Sequence, residues 1–512
     1  MAYVLLVKVG YKFFDGFLFD QHIFNYLKIC PGMKNDYKIL GFKAGLEIHQ
    51  QLDTHKLFCE CPSVLRTDKP FNTIKRKIHV VAGESGEIDE AVKFQGKGNK
   101  DYFYQTYDTT CLVELDEEPP HKINKEALKI ATEIALLLNC KIFPVTQIMR
   151  KTIVNGSNTS GFQRTVLIAY GGFIQTSEGK VGIDSIYLEE DSARPIEKTE
   201  DSTTYRLDRL GIPLVEISTK PDLKSASQVK ETALKIGEIL RSSKVRRGLG
   251  TIRQDLNISI KGSNRVEIKG FQDSKIMEKC IDLEVERQKM FLDKNQKNPS
   301  EVRNCLPDGT TEFLRPIPGS ARMYPETDLE LLHIKKEFID EIKRNLPKLK
   351  NEIEEELRKQ GLSEEMIKLI FKGDKLDEYK ELYEVNGNPK LISKMLLLLP
   401  KEIAKKENKS LEEIEELLNK DVMIFILNAV YNEKIHEKDV KHVLEKICSG
   451  VLFKEAIKLG KKDFDEVEEK ILKIINEKPN LSPNAYMGLV MKELKGSITG
   501  QEAMEIISKL MK

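Results

Sequence analysis

Cysteine is scarce: eight in 512 residues. That excludes a secreted scaffold built on disulfides and reads as a reduced, cytoplasmic complement. Neither sign of charge is in surplus, because 82 lysines and arginines stand against 81 aspartates and glutamates. A net charge of +1 excludes nucleic-acid binding by bulk charge and leaves only local patches. Long hydrophobic runs are missing. The apolar opening, MAYVLLVKVGYKFFDGFLFDQHIFNYLKICPG, is broken by Lys8, Lys12, Asp15 and Asp20, which excludes both a signal-peptide core and a membrane span. Tryptophan is absent. So are a Walker-type phosphate loop, a GxGxxG after a strand, HExxH, GxSxG, a fixed-period repeat and any low-complexity tract. Any phosphate site here would therefore have to be built on an open sheet, and no activated serine or cysteine nucleophile stands out.

What remains is a folded composition, 40% hydrophobic and 32% charged, long enough for about three domains. Met33 opens MKNDYKILGFKAGLEIH like a natural start, so residues 1–32 are expected to be an extension outside the native domains. Residues 33–330 mix short β-rich runs with most of the arginines and most of the glycine and proline punctuation. From Glu330 the pattern becomes helical, as in KEFIDEIKRNLPKLKNEIEEELRKQG. A helical domain is expected over 331–440 and a tail domain over 441–512. From Phe425 onward 15 lysines and no arginine face 14 acidic residues, which suits a solvated helical surface better than a basic arm. The closing AYMGLVMKEL helix and the loop with Gly496 and Gly500 read equally well as a packed hairpin or as a docking surface.

Several polar residues sit where strands should be. In GLEIHQQL, Glu47 and His49 share one strand face and Leu46 and Ile48 the other. IPLVEIS places Glu216 inside an apolar strand, where a charged carboxylate needs a cation or metal. IYLEEDSARP carries Glu189, Glu190 and Asp191, and of the adjacent glutamates only one can enter a given site. In TIRQDLNISIKGSNRVEIKG, Arg253, Asp255, Asn257 and Ser259 alternate with Ile252, Gln254, Leu256, Ile258 and Ile260, then a turn follows, then Arg265, Glu267 and Lys269 alternate with Val266 and Ile268. This predicts an antiparallel hairpin with one apolar and one densely functional face. Carboxylates with cationic residues on one sheet face point to phosphoryl transfer: the acids hold Mg²⁺ and the cations neutralise phosphate. A histidine ligand keeps Mn²⁺ or Zn²⁺ open. Cys59, Cys61 and Cys111 lack a fourth ligand unless Asp108 supplies it, so free buried thiols are expected there rather than zinc.

GLEIHQQLDTHKLFCECPS, YDTTCLVELDEEPPHKIN, NGSNTSGFQRT, YLEEDSARP, DRLGIPLVEISTKPD, RRGLGTIRQDLNISI, NRVEIKGFQ and RPIPGSARMYPETD together resemble the family of archaeal glutamyl-tRNA(Gln) amidotransferase E subunits, relatives of the bacterial-type B subunit. The resemblance implies an α+β fold: a glutamine synthetase/guanido kinase-like sheet cradle followed by an all-helical C-terminal half with a YqeY-like tail. It implies a ligase that phosphorylates the γ-carboxylate of Glu-tRNA(Gln) with ATP and amidates it with ammonia. The ammonia would come from an asparaginase-like D subunit in a heterotetramer or larger complex. It implies metal ligands at Glu47, His49, Glu190 and Glu216, with Mg²⁺ or Mn²⁺ as the ion. It also implies a phosphate-side Lys151, a site-lining set of Arg253, Asp255, Asn257, Glu267 and Lys269, and a further phosphate ligand in Arg322. A B-like subunit acting on Asp- and Glu-tRNA, or a non-catalytic tRNA-binding subunit, are the competing readings; a non-catalytic chain would have lost the acidic set. One departure is clear: the domain that family members usually insert has no room here, because only 18 residues separate Gln288 from Pro307.

Overall fold

The computed structural model describes residues 35–511, apart from 80–85, 87, 96–99, 249, 272, 273, 320, 321, 480 and 495–499. The extension expected over 1–32 and the Lys495–Gly496 part of the tail loop lie outside the described residues. The chain divides into two compact units, Met1–Lys350 and Asn351–Lys512.

The first unit is built on a 12-stranded sheet. Its main strands are β1 (Lys43–Gln51), β2 (Ile148–Thr152), β3 (Phe162–Tyr170), β4 (Gly179–Glu190), β5 (Pro213–Thr219), β6 (Ile252–Ser259), β7 (Val266–Phe271), β8 (Glu301–Cys305), β9 (Thr311–Pro316) and β10 (Met323–Pro325). They lie in the order β9-β8-β7-β6-β1-β5-β4-β3-β2-β10, with short strands Lys141–Ile142 beside β3 and Phe173–Thr176 beside β4. Every pairing is antiparallel except β7 with β8. A parallel pair needs a long crossover, and helix α3 (Ser274–Asp293) supplies it. The stretch from Gln288 to Pro307 is thus consumed by the end of α3, a connection and β8.

Alternation decides which face is which. On β1, Ala44, Leu46 and Ile48 are buried, as are Val215 and Ile217 on β5 and Leu256 and Ile258 on β6. These residues share one apolar cluster with Ile130 and Ile134 of helix α1 (Lys125–Leu137), Val229 and Ile236 of helix α2 (Ala226–Ser242), and Met277 and Ile281 of α3. Period-2 strands against period-3.6 helices bury one sheet face and leave Glu47, His49 and Glu216 on the other. A smaller four-stranded sheet (Arg194–Lys198, Ser202–Arg206, Asp101–Thr106, Asn72–Arg76) holds to the NGSNTSG loop. The Tyr104 hydroxyl donates to the Gly156 carbonyl at 2.7 Å and the Tyr205 hydroxyl to the Asn155 carbonyl at 2.9 Å. Gly156 has φ +83°, and a Cβ there would lie 2.2 Å from the Tyr102 ring, so only glycine fits.

Helical character begins near Glu330, as its pattern predicts, yet the first of these helices (Lys336–Arg344) belongs with the sheet. Its Phe338 and Ile339, with Ile334 before and Leu349 after, pack on the first core. The second unit is all helix in its described residues and holds two apolar clusters. One runs from Leu357 to Ala456, and the other joins Ile471, Ile474, Tyr486, Val490 and Ile507. Val443, Leu444 and Ile447 pack in the former. The second cluster therefore starts along the helix Phe453–Glu477 rather than at residue 441. The closing helices are Pro483–Glu493, capped by Ser482, and Gly500–Leu510. No described helix is long and apolar enough to cross a membrane.

Candidate active site

β1 is the spine of the polar face. Its register sets His49 between Glu216 on β5 and Arg253 on β6, and sets Glu47 between Ser218 and Asp255. The β6–β7 pair is the hairpin the alternation predicts. Asp255 alone faces two residues of β7, Lys269 and Gly270, in a bulge between the Gln254–Phe271 and Leu256–Ile268 pairs. Gly270 takes φ +92°, which a side chain resists, and the bulge brings Lys269 onto Asp255.

Two acidic triads result. Glu47, Asp255 and Glu267 bring ligand atoms within 4.8 Å of one another, and so do His49, Glu189 and Glu216. One lysine bridges each. Lys269 Nζ pairs with Asp255 and, at 2.7 Å, with Glu267. Lys151 Nζ lies 2.9 Å from Glu189 and 3.5 Å from Glu216. His49 Nε2 is 3.2 Å from Glu216 and 3.9 Å from Glu189.

Five carboxylates share two lysines and one imidazole, and the titration behaviour follows. Burial, with the charges of Glu216 and Glu267, pushes the Glu47 carboxyl above its usual range. Burial alone would lower His49, but its hydrogen bond to Glu216 and the surrounding carboxylates raise it. Burial would likewise raise Glu216, yet Lys151 and His49 hold it far below the ordinary carboxylate range. Lys151 and Lys269 are held protonated against their burial by the acids they bridge.

The donor set suits divalent cations. Carboxylate oxygens are the ligands hard cations prefer. Asn257 gives its Nδ2 to Glu47 at 3.0 Å, and its buried Oδ1 has no hydrogen-bond partner beside the first triad. The second triad adds one imidazole nitrogen, a donor that Mn²⁺ accepts more readily than Mg²⁺.

Glu190 is a correction. The resemblance implied it as a metal ligand, but the structure places it away from Glu47, His49 and Glu216. On β4, Tyr187 faces Glu216 and Glu189 faces Leu214, so Glu189 shares the polar face. Glu190 faces Pro213 and points to the other side. There it accepts the Arg164 backbone N–H at 3.0 Å and lies 3.5 Å from the Arg164 guanidinium.

Among the described residues, Arg253 and Arg322 are each held by a single partner. Arg253 donates to Asp191 at 2.8 Å, and Asp191 also accepts from Gln51 at 2.6 Å. Burial works against Asp191 as an anion, but Arg253 and Arg209 outweigh it. Arg322 donates to the Thr152 carbonyl at 2.9 Å. Burial and then Arg315 depress its guanidinium, while Asp89, Glu189 and Glu267 act in the opposite sense. Asp191 was noted beside Glu189 and Glu190 without a role, and Gln51, missed in the sequence, is legible afterwards because it continues the Glu47–His49 alternation.

A second cluster gathers three of the free thiols around an acid. Cys59, Cys61, Cys111 and Glu114 bring their ligand atoms within 4.8 Å. The fourth donor is Glu114, three residues after Cys111, whereas Asp108 pairs with Arg66. Glu114 takes the Cys59 thiol at 2.8 Å, the Cys111 backbone N–H at 2.7 Å and the buried Lys56 ammonium at 3.2 Å. Three sulfurs and a carboxylate make a zinc donor set.

A family model described as the GatB/GatE catalytic domain matches residues 42–340, a span that holds the sheet and both triads. The chain belongs to the GatB/GatE family. Relatives agree along nearly its full length. The glutamyl-tRNA(Gln) amidotransferase E subunit of Methanocaldococcus jannaschii is 35% identical over 633 aligned positions, covering 94% of this chain and 100% of that protein. The E subunits of Methanosarcina barkeri and Archaeoglobus fulgidus are 35% and 32% identical, with 94% and 93% of this chain covered and 98% and 99% of theirs. The aligned span of 633 positions exceeds the 512 residues present, so these GatB/GatE relatives carry a stretch this chain lacks.

Proposed function

We propose that this chain is the ATP-dependent subunit of a glutamyl-tRNA(Gln) amidotransferase, with its sheet unit forming a cradle of the glutamine synthetase/guanido kinase type. The pair of lysine-bridged acidic triads on one face of β1 carries this reading, and relatives named as E subunits of such an enzyme support it.

The reaction has two steps. A γ-carboxylate oxygen of the tRNA-linked glutamate attacks the γ-phosphorus of ATP, forming an acyl phosphate and releasing ADP. Ammonia then attacks the acyl carbon, phosphate leaves, and the amide remains. A carboxylate is a poor electrophile and an acyl phosphate a good one.

Mg²⁺ held by Glu47, Asp255, Glu267 and Asn257, and Mg²⁺ or Mn²⁺ held by His49, Glu189 and Glu216, would neutralise phosphate charge when bound. Lys151 and Lys269, on flexible four-carbon stems, pass from these carboxylates to phosphate oxygens. Arg253, fixed by Asp191, and Arg322, fixed by Thr152, hold further positive charge toward the negative charge of the transferring phosphoryl. Glu189 takes the role first ascribed to Glu190.

The second substrate must be unprotonated ammonia, which is scarce at neutral pH, so a partner resembling an asparaginase is expected to make it within a heteromeric complex. Purified chain with ATP, Mg²⁺ and Glu-tRNA(Gln) should form Gln-tRNA(Gln) from ammonium chloride and not from glutamine alone. Absence of ADP release dependent on Glu-tRNA(Gln) would refute the ATP-dependent reading. Ample product from glutamine without a partner would refute the division of labour.

A further inference from the structure

Behind the polar face lies a second charged group that the reaction does not touch. Glu326 has no solvent-exposed side-chain surface, yet it takes two guanidinium groups: Arg150, and Arg164 through Nε at 2.8 Å. Arg150 also reaches Asp328 at 3.2 Å, and Arg164 reaches back to Glu190 at 3.5 Å. Both guanidinium groups lie over the Phe162 ring, at 4.6 and 5.2 Å. The backbone repeats the attachment: Glu326 N–H donates to the Ile148 carbonyl at 2.9 Å, and Gln147 donates to the Glu326 carbonyl at 3.2 Å.

What this carboxylate anchors is the short edge strand β10. Met323 faces Lys151, Tyr324 faces Arg150 and Pro325 faces Met149 on β2. Three residues of edge strand hold their register weakly by themselves. Slipping by one residue would send Arg322 away from the Thr152 carbonyl and carry Glu326 out of its double ion pair. Arg150 and Lys151 are adjacent on β2, so one residue faces the anchor and the next faces the site.

We propose that Glu326 is a positioning residue of the active centre: its buried carboxylate, shared by Arg150 and Arg164, locks β10 onto β2 and so holds Arg322 on the Thr152 carbonyl, at the end of β2 next to Lys151. The inference rests on the proposed role of Arg322 toward the nucleotide phosphates. Glu326 touches no substrate, and its effect passes through Arg322.

A double-mutant cycle on the full chain separates this role from general loss of structure. The probe is Mg-ATP binding by calorimetry, with thermal melting to establish that each variant is folded. Glu326→Gln and Arg322→Met should each weaken ATP binding by about tenfold, and Glu326→Gln added to Arg322→Met should weaken it by less than about twofold more. Glu326→Asp should recover part of the loss. If Glu326→Gln does not fold, Arg150→Met, which leaves Arg164 on the carboxylate, takes its place in the same cycle. Losses that multiply would overturn the inference while leaving the phosphate role of Arg322 intact. Unchanged ATP affinity in Arg322→Met alone would overturn that role, and the inference with it.

Discussion

Glu216→Gln keeps the shape of the side chain and removes its charge. In the folded chain that charge faces Lys151 at 3.5 Å and His49 at 3.2 Å. At an effective dielectric of ~20, one such pair at this range is worth about 5 kcal/mol of Coulomb attraction before desolvation is subtracted. Lys151 keeps Glu189 at 2.9 Å, so the net loss of stability should be smaller, about 1–3 kcal/mol. The sign follows from the depressed carboxyl. Despite burial, Lys151 and His49 hold Glu216 ionised far below its unfolded range, so it stabilises the fold at neutral pH and loses that effect only in strong acid. Two neighbours respond as well: Glu47 and His49, both raised in part by Glu216, should move back toward their ordinary values. Catalysis loses more than stability does. Without one oxygen ligand and the charge that orders Lys151, turnover in the ammonium-driven assay should fall at least about 100-fold. Glu189→Gln should behave alike. Glu190→Gln, which relaxes Arg164 on the far side, should cost melting temperature more than turnover. A Glu216→Gln protein that melts normally and turns over within about threefold of the parent would refute the site. A Glu190→Gln loss equal to that of Glu189→Gln would refute the assignment of faces.

Replacing Arg253 or Lys269 by methionine should lower turnover far more than affinity for Glu-tRNA(Gln), measured by filter binding, because both act on transferring charge; equal losses would mark a nucleic-acid patch instead. Truncation after Lys478 removes the two closing helices, including Lys492, and should weaken tRNA binding while leaving Mg-ATP affinity within about twofold; unchanged tRNA affinity would end that assignment. Chain purified without chelator should carry about one zinc per molecule by elemental analysis, and Cys111→Ser should lose it together with several degrees of melting temperature. Zinc-free chain with the parent's melting temperature would return these cysteines to plain thiols.

Much of the site was legible before any fold was known, because a strand turns each residue to the face opposite its neighbour. Glu47 with His49, and Arg253 with Asp255 and Asn257, could be grouped by alternation alone, and Glu216 stood out as a carboxylate in an apolar strand. The helical half was legible in the same way from its 3.6-residue stripe. Alternation says only that two neighbours diverge, not which one faces the site. Glu189 and Glu190 were decided by the register of β4 on β5, which sets Tyr187 against Glu216. The resemblance pointed to Glu190, which that register turns to the other side of the sheet. Register is a property of two strands at once, so one strand's own residues do not contain it. The same holds for Glu114 among the cysteines, for Phe338 and Ile339 packing on the sheet unit, and for Glu326 beneath Arg150 and Arg164. Local sequence determined which residues carry chemistry and which faces are apolar. Contacts between segments far apart in the chain decided which charges meet, because a buried charge is tolerable only where the fold brings its counter-charge.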